Sequence, residues 1–182
     1  IPESLKNALK YKTKEEKTNM YFRTIATFLM DAIKEKKLKH VLIYLRDKSK
    51  VKIMKQFIDE DNKKTNFECN IFEILSANSK KERHDALINF RKISNTPKIL
   101  LSVGIFDEGV DETCIDAVMF AEERYTESRI VQNIGRCLRV DPNNPQKVKG
   151  YVIIPNIVYE FNDHIIIDNV EIPNYYSSCF TY

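Results

Sequence analysis

The sequence is poor in the residues that mark several common protein classes. It has no tryptophan and only four cysteines and four glycines among 182 residues. The cysteines form no C-x-x-C pair, and no histidine stands at the spacing of a zinc ligand. The sequence therefore predicts neither a structural metal site nor a disulfide framework. We expect a protein of a reducing, intracellular compartment.

Long apolar runs are also missing. No run approaches the roughly 18 residues that a membrane-spanning helix needs, and the charged start does not resemble a signal peptide. We therefore expect no membrane partner. The length suits one domain of ordinary size with a self-sufficient core. Because the chain starts at Ile1 rather than Met and stops in an aromatic stretch, we interpret it as an excerpt from a larger protein.

Charge is unevenly distributed along the chain. The net charge is only +3, too small to predict a nucleic-acid partner by itself. Residues 1–40 hold ten lysines and arginines against five acids, whereas residues 156–182 hold four acids and no lysine or arginine. The simplest interpretation is a solvated lysine-rich helix at one end and an acidic tail at the other.

Helical and strand patterns alternate. The first helix has an apolar stripe of six residues: Tyr21, Ile25, Phe28, Leu29, Ala32 and Ile33. Helices are predicted over 20–33, 48–61, 80–93 and 128–138. Strands are predicted over 40–45, 67–75, 98–103, 117–121 and 150–155.

Strands separated by helices of this length require crossover connections. The fold class is therefore α/β, with an open, mainly parallel sheet and helices on both faces. Ligands of such sheets bind beyond the carboxyl ends of the strands. We expect the chemistry just after Leu45, Leu75, Val103 and Ala121.

Two glycines follow the strand over 98–103. The segment 104–111 reads GIFDEGVD, with Gly104 and Gly109 on either side of two acids. Such spacing indicates a tight turn that brings the backbone close to a ligand. A plain strand-to-helix turn is the alternative, and spacing alone favours it.

The helix over 128–138 has two different sides. At 100° per residue, Gln132, Arg136 and Arg139 fall on one face. The opposite face is apolar, with Ile130, Ile134, Cys137 and Leu138. Most helical arginine pairs are salt-bridged surface residues. Gly135 nevertheless costs a helix about 1 kcal/mol relative to alanine, which indicates that something comes close to the cationic face.

These segments, in this order, resemble the C-terminal RecA-like domain of superfamily 2 helicases. The resemblance rests on four segments: 41–45, 75–83, 99–103 with 108–111, and 132–139 (QNIGRCLR). Together they resemble motifs IV, V and VI of that family in their usual order. The stretch that ends at 150–155 (GYVIIP) is most similar to DEAD-like helicases related to restriction-enzyme motor subunits and to helicases of large DNA viruses. The match covers about 20–155. We therefore expect one such domain over 1–182, with a C-terminal extension at 156–182.

The resemblance implies roles at the nucleotide. Arg136 and Arg139 correspond to the motif VI pair that reaches the γ-phosphate, one of them as an arginine finger. Gln132 corresponds to the residue that orients near the γ-phosphate or the attacking water. Gly109 and Asp111, with Glu108 beside them, correspond to the motif V residues near the ribose and the interdomain contact.

The resemblance also implies nucleic-acid contacts at the start of motif V, from Ser102, Val103 and Gly104. Many relatives have Thr-Asp where this chain has Val103 and Gly104, so Ser102 or backbone N–H groups must substitute. Tyr44, Arg46 and Ser76 are weaker candidates, placed only by their positions at strand ends.

The implied protein is an ATP-driven motor on nucleic acid, with DNA favoured over RNA. The sequence contains no G-x-x-x-x-G-K-[ST] phosphate loop. ATP with Mg²⁺ would therefore be held mainly by the N-terminal RecA-like domain of the same full-length chain, and this chain alone should be inactive. The alternative is a non-catalytic RecA-like module that binds nucleic acid or protein. A composition rich in Asn, Lys and Ile suits a viral, A/T-rich genome.

Overall fold

The computed structural model describes residues 13–103, 112–122, 127–137, 139–142, 144, 147, 149–155, 158–161, 164–167 and 170–173. Within 127–129, 136–137 and 158–173 it describes the backbone alone. The chain divides into two compact units. Residues 22–155 form the larger unit, and the flanking residues, up to Tyr21 and from Asn156, form the smaller one.

The helices that the structure describes are α1 (Lys14–Lys36), α2 (Lys48–Thr65), α3 (Lys80–Arg91) and α4 (Glu127–Cys137). The strands are β1 (His40–Leu45), β2 (Asn70–Ile74), β3 (Lys98–Val103), β4 (Ala117–Phe120), β5 (Tyr151–Ile153), β6 (Val158–Phe161), β7 (His164–Ile167) and β8 (Val170–Pro173). Each predicted element of the larger unit is confirmed. β1 and β3 have the predicted ends, whereas β2 starts three residues later than predicted. No helix in the described part of the chain is long and apolar enough to cross a membrane.

The larger unit contains a five-stranded parallel sheet in the order β2-β3-β1-β4-β5. β1 lies at the centre, and its six residues are all buried. This burial on both faces explains why the β1 sequence is continuously apolar rather than alternating. The predicted α/β fold with a parallel sheet is confirmed.

One face of the sheet is covered by α3 and α4. Its core cluster consists of buried side chains from β1 to β4, from the entry to β4 and from α3: Leu42, Tyr44, Ile74, Phe90, Leu100, Ile115, Val118 and Phe120. Ile130 and Ile134 of α4 pack against this cluster. The predicted apolar side of α4 is confirmed at these two residues.

The other helices, α1 and α2, are joined by an ion-pair network. Arg23 of α1 contacts Glu60 and Asp61 of α2, each at 3.0 Å. α2 lies against β1 and β3. Phe28 was predicted in the apolar stripe of α1, but its side chain is 52% exposed. The buried face is centred instead on Phe22, Ile25, Ala26, Leu29, Met30 and Ile33.

Polar side chains hold the amino ends of the strands. The Asp116 carboxylate accepts hydrogen bonds from the backbone N–H groups of Lys39 (2.7 Å) and His40 (2.9 Å), which joins the entries to β4 and β1. The buried Lys98 ammonium donates to the Asn89 carbonyl (2.7 Å) and to the Lys92 carbonyl at the end of α3. Each helix carbonyl that lacks an intrahelical partner needs such a donor.

The smaller unit contains the antiparallel sheet β6-β7-β8. Its strands have four residues each. The sequence pattern predicts no element there, because four-residue strands are too short to show a clear period.

Candidate functional site

Two short turns present exposed polar residues at the carboxyl ends of β1 and β2. After β1, the Asp47 carboxylate caps α2 by accepting from the N–H groups of Ser49 (2.8 Å) and Lys50 (3.1 Å). The hydrogen bond from the Ser49 side chain, followed by those from the backbone, lowers the pKa of Asp47. Arg46, directly before this cap, is exposed.

The turn after β2 is built in a similar way. The Asn78 side chain accepts from the Leu75 N–H (2.7 Å), and Ser79 forms a complete capping box with Glu82 at the start of α3. The hydrogen bond from the Ser79 backbone lowers the pKa of Glu82. Ser76 is exposed in this turn. Within the described residues, the Arg46 and Ser76 side chains make no hydrogen bond, so both remain accessible to a ligand.

Other predicted nucleic-acid residues lie in the core. Tyr44 and Ser102 are paired in register on neighbouring strands, and both side chains are buried. The Tyr44 ring stacks on Phe120 with 5.5 Å between ring centroids. Val103 is half-buried. Both residues lie within paired strands, so neither presents its side chain to a nucleic acid in this structure. The roles of these residues stay predictions.

Four predicted residues lie outside the described residues: Gly104, Glu108, Gly109 and Asp111. Their expected contacts with ribose and nucleic acid stay predictions. The described chain resumes at Glu112, whose buried carboxylate receives two hydrogen bonds from Arg91, the last residue of α3. The hydrogen bond to Glu112 raises the pKa of Arg91. The sequence does not point to either residue, because no local pattern connects positions 21 apart on different elements.

Of the predicted motif VI face, the structure describes the side chain of Gln132 on α4. Gln132 and Gly135 are exposed, and Val131 beside them is 63% exposed. A Cβ atom added at Gly135 would have no neighbour within 4 Å. The packing of the described residues therefore does not require glycine at this position. The Arg136 side chain lies outside the described residues.

Arg139 follows α4 and is exposed. The Lys147 ammonium donates to the Arg139 carbonyl (2.9 Å) and to the Thr113 carbonyl (2.6 Å). Thr113 precedes β4, so Arg139 lies near the amino ends of the strands. This end of the sheet differs from the carboxyl ends, where the sequence predicts the chemistry, because a crossover helix returns the chain to the amino end of the next parallel strand. The role of Arg139 stays a prediction. The candidate site is thus the exposed side of α4 as well as the strand ends.

Metal and thiol chemistry find no support in the described residues. No group of three or more His, Cys, Asp or Glu residues in this part of the chain is arranged to hold a metal ion. Cys69 and Cys114 are free thiols, and burial raises the pKa of each to about 12. Thiols with such pKa values are protonated at neutral pH and are poor nucleophiles.

Comparison with protein families gives one match over most of the larger unit. The family described as helicase conserved C-terminal domain matches residues 22–141. Among curated proteins, IRC3 of Saccharomyces cerevisiae, which carries the name of an ATP-dependent helicase, is 28% identical over 106 residues. That alignment covers 58% of this chain and 14% of IRC3.

Solved structures confirm the fold. The DNA-bound type ISP restriction-modification enzyme LlaBIII aligns with a TM-score of 0.60 and 22% identity, over 78% of this chain and 9% of the enzyme. Domain 2 of the DEAD-box helicase Mss116p, bound to an RNA duplex, aligns with a TM-score of 0.54 and 15% identity, over 75% of this chain and 50% of that one. The sheet and helices described above therefore form a RecA-like fold.

Proposed function

Because the chain belongs to the helicase conserved C-terminal domain family, we propose that it is the C-terminal motor domain of an ATP-dependent nucleic-acid helicase or translocase. In this proposal the domain spans 1–182 with its core at 20–155, and it works with an N-terminal RecA-like domain of the same polypeptide inside the cell, in a reducing compartment. The observation that carries the proposal is the two-sided α4. Ile130 and Ile134 pack on the sheet, while Gln132 and Gly135 face outward.

The outward side of α4 suits an anionic ligand. Among the described residues, this side presents the Gln132 amide, and a Cβ atom added at Gly135 would have no neighbour within 4 Å. We assign the guanidinium groups of Arg136 and Arg139 to the same ligand. Guanidinium groups match phosphate oxygens with a rigid, permanently charged fork. These residues therefore fit the γ-phosphate of ATP bound to the partner domain.

Phosphoryl transfer builds negative charge on the transferred group, and ATP with Mg²⁺ supplies that group when bound. Arg136 or Arg139 would stabilise this charge, and Gln132 would orient the γ-phosphate or the attacking water. The described residues offer no cluster of metal ligands, so Mg²⁺ would be held by the N-terminal domain. Gly109, Asp111 and Glu108 would approach the ribose.

The strand ends would hold the nucleic acid. Arg46 and Ser76 have exposed side chains there, and backbone groups from Ser102 to Gly104 would add contacts to phosphates. We propose DNA as the substrate. The structural relatives do not decide this point, because LlaBIII is bound to DNA and Mss116p to RNA.

The test uses the full-length protein with its N-terminal domain. Arg136→Ala and Arg139→Ala are each compared with Arg23→Ala, which removes an arginine from the α1–α2 network. Loss of the arginine finger should lower the nucleic-acid-stimulated kcat about 10³-fold, with ATP binding close to wild type. Arg23→Ala should keep its activity. Full stimulated ATPase in both the Arg136→Ala and the Arg139→Ala variant would contradict the proposal, as would robust ATP hydrolysis by the 182-residue chain alone.

The second candidate is a RecA-like module without motor activity that binds nucleic acid or protein. The open space at Gly135 is also compatible with a protein that docks on α4. Under this alternative, the full-length protein binds its partner but hydrolyses no ATP, and Arg136→Ala changes binding alone.

The choice of DNA as substrate has its own test. ATP hydrolysis by the full-length protein is measured in parallel with single-stranded DNA and with RNA of the same length, and DNA should stimulate it more.

A further inference from the structure

Arg91 and Glu112 form an ion pair with a fixed geometry. The Arg91 Nε donates to one carboxylate oxygen at 2.5 Å, and an Nη donates to the other. The Glu112 side chain is only 2% exposed, whereas that of Arg91 is 50% exposed. Two parallel hydrogen bonds between a guanidinium and a carboxylate fix both distance and orientation.

Glu112 occupies a particular place in the chain. It directly follows Asp111, the last residue of the segment 104–111 that the proposed function assigns to motif V. β3 ends at Val103, where this segment begins. The ion pair therefore fixes the position of Glu112, the first described residue after this segment, relative to α3.

Arg91 is itself on a firmly held element. Phe90, the preceding residue, is fully buried in the core cluster. The Lys98 ammonium donates to carbonyls at the end of α3. The Arg91 guanidinium therefore extends from a helix end that is held by the buried Phe90 ring and by the hydrogen bonds from Lys98.

Stability alone is a poor reason for this pair. Burying a carboxylate is costly, and apolar residues of similar volume often replace a buried ion pair without loss of stability. What a bidentate pair adds is a defined position. The entry to β4 is held by a second polar contact, because the Asp116 carboxylate accepts hydrogen bonds from the backbone N–H groups of Lys39 and His40.

We propose that Arg91 and Glu112 are positioning residues that hold the entry to β4 on the end of α3. This proposal rests on the proposed function, in which the residues that precede Glu112 in the sequence contact both nucleotide and nucleic acid. The pair then sets how strongly nucleic-acid binding stimulates ATP hydrolysis. In this role, neither residue needs to touch ATP.

The experiment uses the full-length protein with Arg91→Ala, Arg91→Lys and Glu112→Gln. Glu112→Gln keeps the size of the side chain and removes its charge, so it tests the pair even if Arg91→Ala folds poorly. We expect Arg91→Ala and Glu112→Gln to lower the nucleic-acid-stimulated kcat about tenfold and to leave the KM for ATP unchanged. Arg91→Lys, which keeps the charge and one hydrogen bond, should recover part of the rate.

Arg23→Ala is the matched control. Arg23 also pairs with a largely buried carboxylate, that of Asp61, but the pair joins α1 to α2. Its removal should lower the melting temperature by a similar amount and leave stimulated kcat unchanged. Two results would overturn the proposal. In the first, Arg23→Ala and Arg91→Ala lower stimulated kcat equally, so that the loss of kcat follows the loss of melting temperature. In the second, the Arg91 and Glu112 variants keep the wild-type kcat.

Hydrogen exchange separates this proposal from the proposed function. If the wild-type protein shows no stimulated ATPase, the proposed function fails, and peptides covering 99–122 decide about the pair. Faster amide exchange there in Arg91→Ala and Glu112→Gln, but not in Arg23→Ala, supports positioning. Equal exchange in all variants overturns it.

Discussion

α3 and α4 cover the same face of the sheet, but they use their polar residues in opposite ways. α3 begins with a complete capping box between Ser79 and Glu82 and ends with Arg91 paired to Glu112. Its polar groups thus serve the protein's own backbone and side chains. α4 packs through Ile130 and Ile134 and turns the amide of Gln132 and the bare backbone of Gly135 outward.

Under the proposed function, α3 contributes stability and α4 contributes contact with a ligand. A glycine inside a helix costs about 1 kcal/mol relative to alanine, and Gly135 repays none of this by close packing within the described residues. Local rules of helix stability hold along α3 and fail on the outer side of α4. Such local failures are expected where a ligand or partner binds.

The largest expected effect comes from truncating the apolar side chain through which each helix packs on the sheet, Phe90 of α3 and Ile134 of α4. Phe90→Ala should destabilise the chain by roughly 3–5 kcal/mol, because the ring is fully buried and leaves a cavity. Ile134→Ala should cost less, because its side chain is only partly buried. Urea unfolding followed by circular dichroism measures both. Equal losses would show that α4 is anchored as firmly as α3.

How far the sequence predicts the fold depends on the local signal. β1 and β3 have the predicted ends, because continuous apolar runs between charged residues mark fully buried parallel strands. Phe28 was misplaced, since a periodic stripe gives the helical period but not which side of a wide stripe faces the core. Only the packing of α1 fixes its buried face around Ile25 and Leu29.

The candidate site was predictable where one helix carries it. The outward position of Gln132 followed from helix geometry alone. The place of Arg139 did not, because it depends on where α4 returns the chain relative to β4. The Arg91–Glu112 pair depends on the same tertiary arrangement, which brings the end of α3 to the entry of β4. Long-range placement of this kind leaves no periodic trace in the sequence.

A smaller effect is expected at the start of α3. Ser79→Ala should destabilise the chain by about 1 kcal/mol, because Ser79 accepts a hydrogen bond from the Glu82 N–H, which lacks an intrahelical partner. Ser76→Ala, in the same turn but exposed, is the control and should leave the urea midpoint unchanged. Equal midpoints for Ser79→Ala and wild type would show that the capping box contributes nothing to stability.

Gly135→Ala should separate stability from function. The added methyl group has open space in the structure, so the chain should gain about 0.5–1 kcal/mol of unfolding free energy from helix propensity. Under the proposed function, the same methyl group lies where the nucleotide approaches in the full-length protein, so stimulated ATPase should fall. Thermal unfolding and steady-state kinetics measure the two effects. A more stable variant with full activity would remove the argument that Gly135 is kept for close approach.

The smallest expected effect is a pH dependence of stability that arises from His40, which packs on the buried end of α3. The His40 ring packs edge-on against Phe90, with ring centroids 5.2 Å apart. Burial lowers the pKa of His40, Lys98 lowers it further, and Asp116 opposes the shift. In the unfolded chain His40 has a pKa near 6.5, so it takes up a proton more readily there than in the folded chain.

Unfolding free energy should therefore fall as the pH drops below about 6.5 and level off once His40 of the folded chain is also protonated. His40→Phe should flatten this part of the profile, whereas His84→Gln, on the exposed side of α3, should not. If His40→Phe keeps the wild-type slope in urea unfolding between pH 5 and pH 7, the slope belongs to another group.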